Sequence, residues 1–240
     1  LGTVHFSRFM VEGDEKLLFV SDIDGEVDEH IERLVERAGV VFDAIFEHVD
    51  ERPATPATGE PQPVVRWLKD HVREPVETYF AYEDASVQDI KACARAAGFT
   101  GNTSQDTLLT YMSIKSGHSL ALMEAAEAVR DEAYAATDAV GTLHFSDWVF
   151  FEDEHLGFFT IYDGAWDKYI QDFAEKLTIA FDAVFPHIVG APPTPVAKNA
   201  PAFHKWALEN NYPSVGFYSA YPGLGVLDIR ALLADRNATG

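Results

Sequence analysis

The sequence predicts an α+β protein made of two related units in tandem, its antiparallel strands covered by helices. Two observations carry that prediction. First, residues 2–25 (GTVHFSRFMVEGDEKLLFVSDIDG) return as residues 141–164 (GTLHFSDWVFFEDEHLGFFTIYDG), an offset of 139 that continues without a gap. Phe42-Asp43-Ala44 matches Phe181-Asp182-Ala183, His48 matches His187, Trp67 matches Trp206, Tyr79 matches Tyr218, and Asp89-Ile90 matches Asp228-Ile229. About a third of the hundred aligned positions are identical, and self-similarity at a fixed period marks a duplicated architecture. Second, the apolar period switches from two in the hairpins to 3.6 in the segments that follow them.

The elements follow in order. Residues 3–11 and 16–23 alternate and are rich in Val, Phe, Leu and Ile around Gly13-Asp14, which reads as a β-hairpin. Asp24-Gly25 ends the second strand, and Asp24 or Asp28 is placed to cap the next helix. That helix spans 27–49, with Ile31, Leu34, Val35, Val41, Ala44, Ile45 and Val49 at helical spacing. Four prolines make 52–63 an extended connection. A short helix at 63–73 carries Trp67, a strand follows at 77–82, and a helix at 87–97. Residues 107–114 (TLLTYMSI) read as a strand, and 118–139, rich in Ala, Glu, Leu and Met, as one helix. The second copy then repeats the hairpin, a long helix at 165–187, a Pro-rich link, a helix at 201–210, a strand at 214–220 and a helix at 225–235.

The second half thus runs strand, helix, strand, strand, helix, strand, the order of a ferredoxin-like unit. We place the first repeat at 1–100 and the second, complete one at 101–240. The first repeat begins at the unit's second strand. Its opening strand and helix are expected to be missing from the given chain, disordered, or supplied by another chain, and the sheet edge so exposed favours a homodimer.

Composition narrows the function classes. Hydrophobic residues form 47% of the 240, enough for a sizeable core. No apolar run reaches the ~18 residues a membrane helix needs, and no signal-peptide pattern opens the chain. The net charge of −21 repels phosphate backbones, so nucleic acid is not an expected partner. The single Cys93 excludes an internal disulfide and a cysteine metal cluster and agrees with a reducing cytoplasm. Dinucleotide-binding, phosphate-loop, serine-elbow and zinc-protease motifs do not occur, which leaves nucleotide-dependent and hydrolytic chemistry without support.

Several side chains stand out chemically. Thr3, His5, Ser7 and Phe9 share one strand face. With the turn at Gly13-Asp14, opposing positions sum to 27, so His5 faces Asp22, and a carboxylate beside an imidazole raises its basicity. His144 would face Ile161, so the pair is expected in the first half only. Arg8 and Asp147 occupy equivalent positions with opposite charge. An ion pair between them, solvent exposure, or stabilisation of developing negative charge by Arg8 are the three readings of that contrast. His48 and His187 end the long helices, where the dipole favours a cation. Trp67 and Trp206 read as core anchors, and Tyr79 and Tyr218 as packing residues, with lining of a pocket or radical relay as the alternatives. The acidic group at 152–155 reads as a solvated turn.

Two such units in tandem, opened by HFSRFMVEGDEKLLFVSDIDG and HFSDWVFFEDEHLGFFTIYDG, resemble the dimeric α+β barrel superfamily, to which dye-decolorising peroxidases and chlorite-dismutase-like proteins belong. The resemblance implies an α+β barrel whose two facing sheets enclose haem or a small organic substrate. It implies a peroxidase-like oxidoreductase, with a non-catalytic ligand-binding module or a cofactor-free enzyme on a hydrophobic metabolite as the alternatives. Asp24-Gly25 and Asp163-Gly164 resemble the end of the peroxidases' Gly-x-x-Asp-Gly loop, with Ser21 and Thr160 where its first Gly would stand. On this resemblance His5, Asp22, Asp24 and Arg8 are the catalytic candidates. Asp24 or His5 would move the proton and Arg8 would stabilise charge on the peroxide, with His204 (AFHKW) or His118 (SGHSL) as the haem ligand.

Overall fold

A computed structural model describes residues 2–13, 15–152 and 154–239 of the chain. Asp14 of the first turn and Asp153 of the acidic turn lie outside the described residues. The elements are β1 (Val4–Glu12), β2 (Lys16–Ile23), α1 (Val27–Phe46), α2 (Pro61–Asp70), β3 (Glu77–Phe80), α3 (Val87–Ala96), β4 (Gln105–Ser113), α4 (Ser119–Glu127), α5 (Arg130–Val140), β5 (Leu143–Phe151), β6 (His155–Asp163), α6 (Trp166–Lys176), α7 (Thr178–Val184), α8 (Ala200–Asn210), β7 (Ser214–Ser219) and α9 (Val226–Thr239). The fold is mixed α+β with antiparallel sheets. No helix among the described residues is long and apolar enough to cross a membrane.

The strands form two sheets, ordered β2-β1-β7 and β3-β5-β6-β4, and neither closes on itself. Each half's last strand joins the other half's hairpin, so the sheets do not divide at residue 100. The pairing obeys the sequence offset: Tyr79 opposes Ser146 on β5, and Tyr218 opposes Ser7 on β1. Two expected helices are broken. The long helix of the second half splits into α6 and α7 at Leu177 (φ −99°, ψ 22°), and α1 kinks at the equivalent Ala38 (φ −119°, ψ 18°). The helix expected over 118–139 splits into α4 and α5 at Val129 (φ −117°, ψ 8°).

Local signals start and stop the helices. Ser86 and Asp89 make a capping box at α3. Pro61 opens α2, where its missing N–H costs nothing. Gly141 ends α5 at φ 76°, a left-handed position that only glycine adopts cheaply.

The main core lies between the second sheet and its covering helices, built on Phe158, Phe173, Phe181 and Phe203. A second cluster, with Met10, Leu109, Val149 and Phe159, fills the space between the two sheets. A third joins α1 to α2 through Ile31, Val35, Phe42 and Val64. The outer face of the first sheet stays open: Val11, Leu17, Phe19, Val215 and Tyr218 are all exposed.

Candidate functional site

Three features can carry chemistry. The first is a buried chain of side chains that crosses between the halves. His5 and His144 each sit at a register irregularity, between Val4 and Phe6 on β1 and between Leu143 and Phe145 on β5. The irregularity moves the opposing sum from the expected 27 to 28, so Asp22 faces Phe6 and His5 reaches Asp24 instead. His5 Nε2 lies 2.7 Å from Asp24 Oδ1 and its Nδ1 lies 2.8 Å from the Tyr221 hydroxyl. Tyr221 meets Tyr82 at 2.7 Å, Tyr82 meets His144 Nδ1 at 2.8 Å, and His144 Nε2 meets Asp163 Oδ1 at 2.8 Å. The expected His5–Asp22 pair does not form, and a His–Asp pair exists in both halves, His5 with Asp24 and His144 with Asp163.

The ends of this chain are anchored identically. The second oxygen of Asp24 accepts the Val87 N–H at 2.9 Å, and that of Asp163 accepts the Val226 N–H at 2.7 Å. These are the first residues of α3 and α9, where exposed N–H groups and the helix dipole favour a carboxylate. Burial lowers the His5 pKa below the usual imidazole range, and the Asp24 hydrogen bond opposes that shift. Burial pushes the Tyr82 and Tyr221 hydroxyls well above the usual phenol range, so both are protonated.

The second feature is a buried charge cluster bridging the sheets. Arg8 is fully buried on β1 and pairs with Asp22 on β2. Solvent exposure of Arg8 is thereby excluded, and its ion pair is to Asp22. The Arg8 Nε and second guanidinium nitrogen lack hydrogen-bond partners. Asp147 on β5 accepts from Thr78 Oγ1 at 2.9 Å. Burial, and then the Asp22 charge, push the Asp147 carboxyl up to about 7 against the opposing pull of Arg8.

The third feature is a cavity of about 220 Å³ between the outer face of β3, β5 and β6 and the helices α4, α5 and α7. Leu122, Met123, Trp148, Phe158 and Val184 line it, and Glu77, Glu127 and Arg130 stand at its rim. Arg130 Nε lies 2.7 Å from Glu77 Oε2 and also pairs with Glu127. At the polar end, Tyr79 donates to Asp138 at 2.9 Å and accepts from Arg230 at 3.0 Å. Tyr134 donates to Glu83. Burial, with Glu83, pushes the Tyr134 hydroxyl up to about 12.

The structure thus divides the four catalytic candidates between two clusters: His5 and Asp24 in the hydrogen-bonded chain, Arg8 and Asp22 in the charge cluster. His204 stands on the exposed side of α8, 3.2 Å from Asp167. His118 precedes α4 with its Nδ1 3.1 Å from that of His187. Neither lines the cavity. Haem needs an axial His, Cys, Met or Tyr facing an open space. The space between the sheets is filled by Met10, Leu109, Val149 and Phe159, and the cavity's Tyr79 hydroxyl is already engaged on both sides. Neither His118 nor His204 is therefore placed as such a ligand. Tyr82 and Tyr221 escaped the sequence reading, although they are identical residues at the repeat offset, and Asp163, noted there as the match of Asp24, was not joined to His144. No protein-family model matches the chain, and no curated protein or solved structure matches it.

Proposed function

We propose that this chain binds a small hydrophobic molecule, without a cofactor, in the cavity between the second sheet and α4, α5 and α7. The observation that carries the reading is that cavity: apolar walls with a few polar groups at one end and an ion-paired rim, the usual composition of a ligand site. An apolar cavity of about 150 Å³ takes up benzene, so the present volume suits a molecule of two fused rings. Tyr79, Tyr134 and Thr137 orient a polar substituent, and the Glu77–Arg130–Glu127 contacts lie at the rim. The exchange of last strands between the halves supports two tandem ferredoxin-like units arranged as in the dimeric α+β barrel superfamily. This reading is the cofactor-free alternative to a peroxidase, with the ligand on the helix-covered face of the second sheet rather than between the two sheets.

Calorimetric titration with naphthalene tests the reading. Saturable binding is expected, and Ala126→Phe, which fills the cavity from α4, abolishes it while circular dichroism stays unchanged. No saturable binding, or equal binding by the folded variant, overturns the reading. Hemin titration run alongside, with uptake seen as a Soret band, tests the peroxidase alternative directly.

A further inference from the structure

The hydrogen-bonded chain Asp24–His5–Tyr221–Tyr82–His144–Asp163 has five links, all of 2.7 to 2.8 Å. Each link needs one hydrogen. A neutral imidazole brings one, a phenol brings one, and an ionised carboxylate brings none. Asp24 and Asp163 are counted as carboxylates, whose second oxygens accept the Val87 and Val226 N–H groups at the starts of α3 and α9. The chain therefore owns four hydrogens for five links. With both Nε2–H groups turned to the aspartates, two hydroxyl hydrogens remain for three contacts. One contact then sets lone pair against lone pair in a site closed to water, where an unmade hydrogen bond is most costly.

We propose that this chain is a binding site for one additional proton, shared between His5 and His144. The fifth hydrogen completes every link. When His5 carries it, His5 donates to Tyr221, Tyr221 to Tyr82, and Tyr82 to His144. When His144 carries it, all three directions reverse. Passage between the two states moves three hydrogens: His5 Nδ1 to the Tyr221 oxygen, Tyr221 to the Tyr82 oxygen, and Tyr82 to His144 Nδ1. Nothing is gained or lost, and one positive charge crosses from one half of the protein to the other. A sixth proton is excluded, because one tyrosine hydrogen would be left with no acceptor in the chain. The site takes up one proton, never two.

The surroundings allow it. His5 on β1 is faced by Asp24 and Asp22 from the end of β2, by Tyr221 beyond β7, and by the rings of Phe80 and Phe145. His144 on β5 is faced by Asp163 from β6, Tyr82 beyond β3, and the Phe6 ring. The two tyrosines feel Asp22, Asp24 and Asp163. Burial opposes a charge on His5, and Asp24 and Asp22 favour it. Asp22 is itself paired with the buried Arg8, and the partner histidine disfavours a second charge.

The test is nitrogen-15 NMR of imidazole-labelled protein between about pH 8 and about pH 5, where histidines titrate. The Nδ1 atoms of His5 and His144 are expected to gain protonation together, summing to one equivalent. Tyr82→Phe and Tyr221→Phe each leave three links and three hydrogens, so uptake at these two histidines falls from one equivalent to none. Uptake of two equivalents or none by the unmodified protein overturns the proposal, and so does one equivalent that survives in a folded phenylalanine variant. The count on the unmodified protein decides the matter should the variants fail to fold.

Discussion

Replacing Asp147 by asparagine isolates the charge that burial opposes most directly. Asp147 lies between the sheets against Arg8 of β1, Asp22 of β2 and Thr78 of β3. Arg8 is already paired with Asp22, so an ionised Asp147 would be a surplus buried anion. Its carboxyl rises from 3.8 to about 7, chiefly through burial. Three units at ~1.4 kcal/mol each amount to about 4 kcal/mol. The sign follows from linkage: the native state binds this proton more tightly than the unfolded chain, so stability is full below the unfolded value and is lost as pH rises through about 7. Integrated between about pH 5 and about pH 8, the loss is about 2.5 kcal/mol. Asparagine mimics the protonated acid, since its oxygen accepts from Thr78 and its amide donates to Asp22. Urea melts of both proteins across that range should therefore diverge, with Asp147→Asn gaining about 2.5 kcal/mol on the parent as pH rises. Titrating groups that do not touch Asp147 are shared and cancel in the difference. A difference that stays flat with pH would show that Asp147 is ionised throughout and would sink the assignment.

Two further expectations concern packing. Phe158→Ala removes a fully buried ring stacked 4.1 Å from Trp148 and packed on Phe181, and the new void merges with the existing cavity. Urea melts should show a loss of about 3–5 kcal/mol, with the fold retained. Gly223→Ala forces a side chain onto a residue at φ 87°, with the added carbon 2.5 Å from the Gly101 carbonyl oxygen. That strains the bridge between Thr103 and Gly223 and should cost more than about 2 kcal/mol in the same melts, and a silent variant would contradict the close approach.

The duplication was legible because it is written residue by residue, and hairpins that alternate with a turn between them are local objects. The exchange of last strands was not legible. Nothing within Glu77–Phe80 tells it to pair with β5 rather than with its own hairpin. The helix breaks at Ala38, Leu177 and Val129 carry no proline, so no local signal in the sequence marked them. The site was half legible. His5 and its need for a carboxylate followed from strand alternation, but one register irregularity was enough to move the partner from Asp22 to Asp24. The offset of 139 held the missing information. Once His5 is joined to Asp24 and Tyr221, the same step along the sequence yields His144, Asp163 and Tyr82.

The two clusters show what a fused duplication permits. Where the halves carry the same residues, equivalent groups meet in a symmetric chain: Tyr82 on Tyr221, with a histidine and an aspartate beyond each. Where they differ, Arg8 and Asp147 occupy matching places on β1 and β5 and both fall within the buried cluster with Asp22. Two identical chains assembled in the same way could not build that second arrangement. They would set two guanidinium groups, or two carboxylates, in matching buried positions, and like charges inside a protein repel far more strongly than in water. Joining the copies in one chain removes the constraint at this one pair of positions. One half then supplies the cation, and the other supplies a carboxyl that burial, and then the Asp22 charge, push up to about 7.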